Sequence, residues 1–129
     1  MPRRRTLTLN KYQIGQDKYN ELFYFCKQYL DRETEINQLR GLSAMVYDDM
    51  PKGSGTSDPT AKKAEKILRL RAENELIEQT AIEADSYIYQ DLIKNVTQGI
   101  TYEYLDCCCS RGYFYDRRRK FFKLLSEKR

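Results

Sequence analysis

The stretch DPTAKKAEKILRLRAENELIEQTAIEADSYIYQDLIKNVTQG, residues 58–99, decides the fold. Asp58 suits a helix N-cap, and Pro59 suits the first helical position, where its missing amide hydrogen costs nothing. From there Ile67, Leu70, Asn74, Ile77, Ala81, Ala84, Ile88, Leu92 and Val96 recur at steps of three or four residues until Gly99 ends the run. Charged side chains fill the other faces. The spacing predicts one helix of about forty residues, a rod of roughly 60 Å at 1.5 Å per residue. Such a rod needs a partner along its apolar seam. An upstream helix folding back as an antiparallel hairpin would cover part of it, and a second copy of the chain would cover the rest. Asn74, at a seam position, either fixes register or oligomeric state there or tilts its amide to the solvent edge.

Upstream, Leu22, Phe25, Tyr29, Ile36 and Leu39 mark a first helix from Asp17 to about Leu39, with Tyr19, Cys26 and Leu30 widening its stripe. Gly41 and the segment Met50–Ser57, with its proline and two glycines, then read as an exposed connector over 41–57. Tyr12, Ile14 and Gly15 before Asp17 are open to two readings, a degenerate second helix-turn-helix or simple loop packing.

Downstream, Thr101 to Leu105 forms a short segment with a cap at Thr101. The three cysteines Cys107, Cys108 and Cys109 make a tight connection, and Ser110 caps a final helix. Phe114, Arg118, Phe121 and Leu125, with Phe122 beside them, share one face of that helix. Arg111, Arg117, Arg119, Lys120 and Lys123 are spread along it, with Tyr113 and Tyr115 near its N-terminal end. A short helix, a tight turn and a capped basic helix fit a helix-turn-helix whose second helix enters the major groove. Arginine pairs bidentately with guanine, while lysine, tyrosine and helix amides hold phosphates. The bland alternative is an amphipathic helix whose cations only solvate it.

Charge follows the same division. The formal net charge is only +4 over 129 residues, yet 110–129 alone carries eight basic residues against Asp116 and Glu127. Residues 17–57 and 58–97 are each slightly acidic, and 1–16 holds Arg3, Arg4, Arg5 and Lys11 with no acid. A near-neutral scaffold with basic ends suits contact with a polyanion. Frayed, solvated tails are the alternative for the N-terminal arm.

Histidine and tryptophan are absent, which removes the commonest general acid/base and metal ligand and, with them, serine-hydrolase, papain-like and zinc-hydrolase chemistry. Four cysteines match the ligand count of a structural zinc site, but three adjacent ones do not have its spacing, so no metal or other cofactor is expected. Free thiols in a reducing compartment are expected instead, with Arg111 close enough to favour a thiolate. Gly53–Ser54–Gly55 lacks the remainder of a phosphate-binding loop, and Asp48 and Asp49 read as solvated. No run approaches the ~20 apolar residues of a membrane span, so no membrane partner is expected and a cytoplasmic location is.

The wording of three stretches carries a resemblance. NKYQIGQDKYNELFYFCKQY (10–29), SDPTAKKAEK (57–66) with LIEQTAIEAD (76–85), and TQGITYEYLDCCCSRGYFYDRRRKFF (97–122) resemble small prophage proteins of Gram-positive bacteria. They are similar to transcription regulators of the ArpU and RinA type, whose C-terminal part is like the promoter-reading helix-turn-helix of sigma factors. The resemblance implies that Ser110, Phe114, Phe121 and Leu125 take cap and core positions of the second helix. It also implies that Arg111, Gly112, Tyr113, Asp116 and Arg117 face DNA. The short first helix and the sulfur-rich turn depart from the family pattern.

The expectation is therefore an all-α, non-enzymatic protein in three parts. These are a basic arm over 1–16, a long antiparallel helical hairpin over 17–97, and a helix-turn-helix over 98–129. It would act as a phage or prophage transcriptional regulator, an activator, on double-stranded DNA. It would form a dimer through its long helix, and a sigma-like role would add contact with RNA polymerase. The rival from another class is a structural adaptor, such as a small DNA-packaging subunit that grips DNA without reading it. A module that docks an acidic protein is the third reading.

Overall fold

The computed structural model describes residues 12–49 and 59–129, with 42–49 described as backbone only. Its elements are α1 (Gln16–Lys27), α2 (Tyr29–Asp49), α3 (Pro59–Ala84), α4 (Tyr89–Gln98), a 3-10 turn (Tyr102–Tyr104) and α5 (Arg111–Lys128). The described residues are all helix and connection, with no strand among them. Asp58, the connector residues 50–58 with Gly53–Ser54–Gly55, and the arm residues Arg3, Arg4, Arg5 and Lys11 lie outside the described residues, as do the side chains of Asp48 and Asp49.

α2 and α3 lie side by side and antiparallel. Tyr29 donates to the carboxylate of Glu78, Arg32 bonds to Asn74 at 3.0 Å and meets Glu73 at 3.2 Å, and Lys66 meets Glu35 at 2.6 Å. Ascending positions on one helix thus meet descending ones on the other. Asn74 sits inside this seam at 1% exposure, not at the solvent edge. Its carbonyl oxygen accepts from Arg32, and its amide donates to the Tyr29 carbonyl (3.2 Å) and to Glu33 (2.8 Å). These three bonds tie Asn74 of α3 to Tyr29, Arg32 and Glu33 at the start of α2.

Three boundaries differ from the sequence reading, each for a local reason. The expected first helix is two, α1 and α2, divided at Gln28, whose N–H turns back to the carbonyls of Phe25 and Cys26. Arg32 holds the corner, its guanidinium donating to the Phe25 carbonyl at 2.8 Å and lying 4.2 Å from the Phe25 ring centroid. At Gly41 the helix does not stop and runs on to Asp49, so the expected connector start is too early. One exposed glycine costs a helix only about 1 kcal/mol, too little to end it.

The forty-residue rod is also divided. α3 stops at Ala84, and the Asp85 carboxylate accepts from the N–H groups of Tyr87 (2.8 Å) and Ile88 (3.2 Å) in the turn that precedes α4. Periodicity misses this corner because Ala84 and Ile88 on either side of it are both buried, 2% and 3% exposed, in the same core.

That core joins α1 (Leu22, Phe25, Cys26), the end of α3 (Ile77, Ala81, Ala84), α4 (Leu92, Val96), Leu105 and one face of α5 (Phe114, Phe121, Phe122, Leu125). Gly99 ends α4 in the left-handed region (φ 74°), its N–H bonded to the Asn95 carbonyl, a conformation glycine adopts without steric cost. The expected short helix before α5 is only a single 3-10 turn. Thr101 occupies its N-cap position without a side-chain cap bond, and Leu105 anchors it in the core. The chain then reverses at Asp106 (φ 56°), ahead of the cysteines, a conformation aspartate tolerates better than most residues.

Candidate nucleic-acid interface

α5 starts where its sequence says it should. The Ser110 hydroxyl accepts from the Tyr113 N–H at 3.2 Å, and Ser110, Arg111 and Gly112 are exposed. One side of the helix is fixed by its aromatic residues. Phe122 meets Tyr19 of α1 edge-on at 4.9 Å, and Phe114 packs on Tyr102 at 5.7 Å. At 3.6 residues per turn, Gly112, Asp116, Arg119, Lys120 and Lys123 then form one stripe on the opposite side. Tyr113 and Arg117 run along one flank of that stripe, Arg111 and Tyr115 along the other.

The structure thus brings together most of the residues expected to meet DNA and sets some apart. Tyr113 is 43% exposed, and its hydroxyl donates to the Asp85 carboxylate at the α3–α4 corner. The Arg117 guanidinium lies over its ring, 5.1 Å from the centroid. Arg117 also meets Asp116 at 2.7 Å, and Arg119 reaches the other oxygen of the same carboxylate at 3.9 Å. The Nε atoms of Arg117 and Arg119 are buried with no hydrogen-bond partner among the described residues. Lys120 makes no ion pair with a described residue, and Lys123 approaches the Gln13 carbonyl at 3.5 Å.

Arg111 is exposed but pairs with Glu103 at 3.0 Å and covers the Tyr115 ring at 4.9 Å. Tyr115 itself is half-buried against Phe114 and belongs to the edge of the core, not to the outward stripe. A Cβ at Gly112 would meet nothing within 4 Å, so no steric demand of this fold requires glycine there.

Not every cation on α5 is available to a ligand. Arg118, expected on the aromatic face, is half-buried there. Its Nε donates to Asn95 at 2.6 Å, and its guanidinium lies 4.9 Å from the Phe122 centroid. Asn95 in turn donates to the Ile100 carbonyl at 2.8 Å, tying α5 to the end of α4. Lys128 meets Glu83, and Arg129 meets Glu21 and stacks on Phe25. Part of the positive charge at the C-terminus therefore holds the domain together.

Electrostatics sharpen two positions. Burial raises the Asp85 pKa, but hydrogen bonds from Tyr113 and from the amides of Tyr87 and Ile88, with the Arg117 charge, outweigh it and hold the carboxyl below the ordinary range. The same Asp85 bond, then burial, raises the Tyr113 phenol. Burial, the Cys109 thiol and the neighbouring Asp91 push the Cys107 thiol up to about 12, the reverse of the activation expected from Arg111, which is engaged with Glu103. Among the described residues no group of three or more cysteine or carboxylate side chains is placed to hold a metal ion.

Sequence reasoning missed Asp85 and Glu103, the carboxylates that orient Tyr113 and Arg111. It also missed Tyr87 and Tyr104, 86% and 84% exposed beside them. Nothing in the pairs Tyr87/Tyr89 and Tyr102/Tyr104 marks which member points outward. No described helix is long and apolar enough to cross a membrane. No protein-family model, curated protein or solved structure matches this chain.

Proposed function

We propose that the protein is a DNA-binding transcriptional regulator of phage or prophage type, an activator that reads duplex DNA with α5. The observation that carries this reading is the division of α5. Its aromatic side is consumed by the core, while its capped N-terminal end, Ser110 to Tyr113, is exposed, and Asp116, Lys120 and Lys123 lie half-buried on the side away from the aromatic residues. A helix so placed can enter a major groove N-terminus first, with Arg111, Tyr113 and Arg117 at base edges and Arg119, Lys120 and Lys123 on phosphates. The 3-10 turn then serves as the first limb of a helix-turn-helix of sigma-factor kind, which would place the complex beside RNA polymerase. Arg3, Arg4 and Arg5 would follow a neighbouring backbone or minor groove. A dimer would use the outward side of α3, where Leu68 is 67% exposed.

A packaging adaptor that grips DNA without reading it is the second reading. It is favoured by the engagement of Arg111 with Glu103 and of Arg117 with Asp116, which occupies the would-be base-reading guanidiniums. Arg117→Ala and Arg111→Ala, titrated against a panel of duplexes, separate the two. A regulator loses discrimination, about 1–3 kcal/mol at the position read. An adaptor weakens equally on every duplex.

A further inference from the structure

The turn that launches α5 carries a feature its DNA-binding role does not use. Cys107 and Cys109 point their sulfurs at each other, 3.4 Å apart, while Cys108 between them is exposed and Cys26 is sealed in the core. The chain bends at Cys108 and Cys109, which draws the two flanking residues together. Closing a disulfide asks the sulfurs to approach to about 2.05 Å, a modest movement for two side chains already facing. The backbone between them is not passive. The Cys109 carbonyl accepts the Tyr102 hydroxyl, and Cys109 directly precedes Ser110, the cap of α5.

We infer that Cys107 and Cys109 form a dithiol modification site that a small disulfide such as oxidised glutathione closes into an intramolecular bond, and that closure loosens the first turn of α5. The exchange balances. The Cys109 thiolate attacks glutathione disulfide, forming a mixed disulfide and expelling one glutathione thiolate. Cys107 then loses its proton to solvent, attacks the Cys109 sulfur and expels the second. Two protein thiols are oxidised to one disulfide, and one glutathione disulfide is reduced to two thiols. Burial and the Asp91 carboxylate keep Cys107 protonated at rest, so it acts as the resolving sulfur, within reach once Cys109 is modified. Drawing Cys109 toward Cys107 displaces its carbonyl from Tyr102 and shifts the Ser110 cap.

The test uses the full chain in a glutathione redox buffer, read by intact mass, peptide mapping and amide hydrogen exchange. The expected product has lost the mass of two hydrogen atoms, with the bond mapped between Cys107 and Cys109. Cys108→Ser still closes, whereas Cys107→Ser and Cys109→Ser do not. Exchange at Tyr113 and Phe114 speeds up by about fivefold, the scale of a lost helix cap, and reverts on reduction. Glutathione held at Cys108 without an internal bond, bonds between chains, or a closed disulfide that leaves exchange unchanged would each overturn the inference. Its regulatory sense rests on the DNA reading, on which the closed form binds duplex more weakly than the reduced form. Reduced protein that binds no DNA sinks that reading alone, because the mass and exchange results still judge the dithiol.

Discussion

Arg32 and Asn74 show how much one pair of polar residues decides. A guanidinium 6% exposed between α1, α2 and α3 would be costly alone. Here it bonds to Asn74 and the Phe25 carbonyl and meets Glu73, so its donors are largely satisfied. Asn74→Ala leaves that guanidinium and the Tyr29 carbonyl short of a partner, and is expected to lower stability by about 1–3 kcal/mol, read from the denaturant midpoint. Asp85 gives the second prediction. Its carboxyl is held below the ordinary aspartate value of 3.8, so its contribution is present above that pH and is lost as pH falls through the depressed folded value. The protection of the Tyr87 and Ile88 amides, measured as exchange relative to the intrinsic rate at each pH, should therefore fall as Asp85 takes up its proton, and Asp85→Asn should flatten this dependence. Asn74 was legible as a seam residue because it interrupts an apolar ladder. Asp85 was not, since one aspartate beside a serine looks like any solvated face until its bonded amides are known.

At the scale of elements, the ends marked by chemistry were legible and the bends marked by geometry were not. Gly99 and Ser110 stop and start helices by conformations and bonds that belong to their residue types. The Gln28 and Asp85 corners leave the apolar period unbroken, and Gly41 shows that a weak helix former need not be a stop. Asp85→Ala removes the acceptor for two N–H groups and the Tyr113 hydroxyl. It should cost about 1–2 kcal/mol and release the N-terminal turn of α5, visible as a lower Tm and faster exchange at Tyr113. Phe121→Ala, fully buried where α5 meets the other helices, should cost about 3–5 kcal/mol and remove the shared core that sets the direction of α5.

At the scale of the molecule, the basic C-terminus divides into two populations that a charge count treats as one. Arg118, Lys128 and Arg129 are bound to Asn95, Glu83, Glu21 and aromatic rings, whereas Arg117 and Arg119 share the Asp116 carboxylate beside the exposed Tyr113, within α5 itself. The all-helical class followed from periodicity. Which cations are structural did not, because adjacent arginines such as Arg117, Arg118 and Arg119 have no difference in chemistry and acquire one only through the helix face each occupies. The measurement that tests the central claim most directly is selection of binding sites from random duplexes by the purified protein, followed by titration of a recovered and a scrambled duplex at two salt concentrations. A sequence-reading regulator shows a preference of at least about a thousandfold that persists at the higher salt and collapses with Arg117→Ala. Equal affinity for both duplexes, lost together as salt rises, would contradict it.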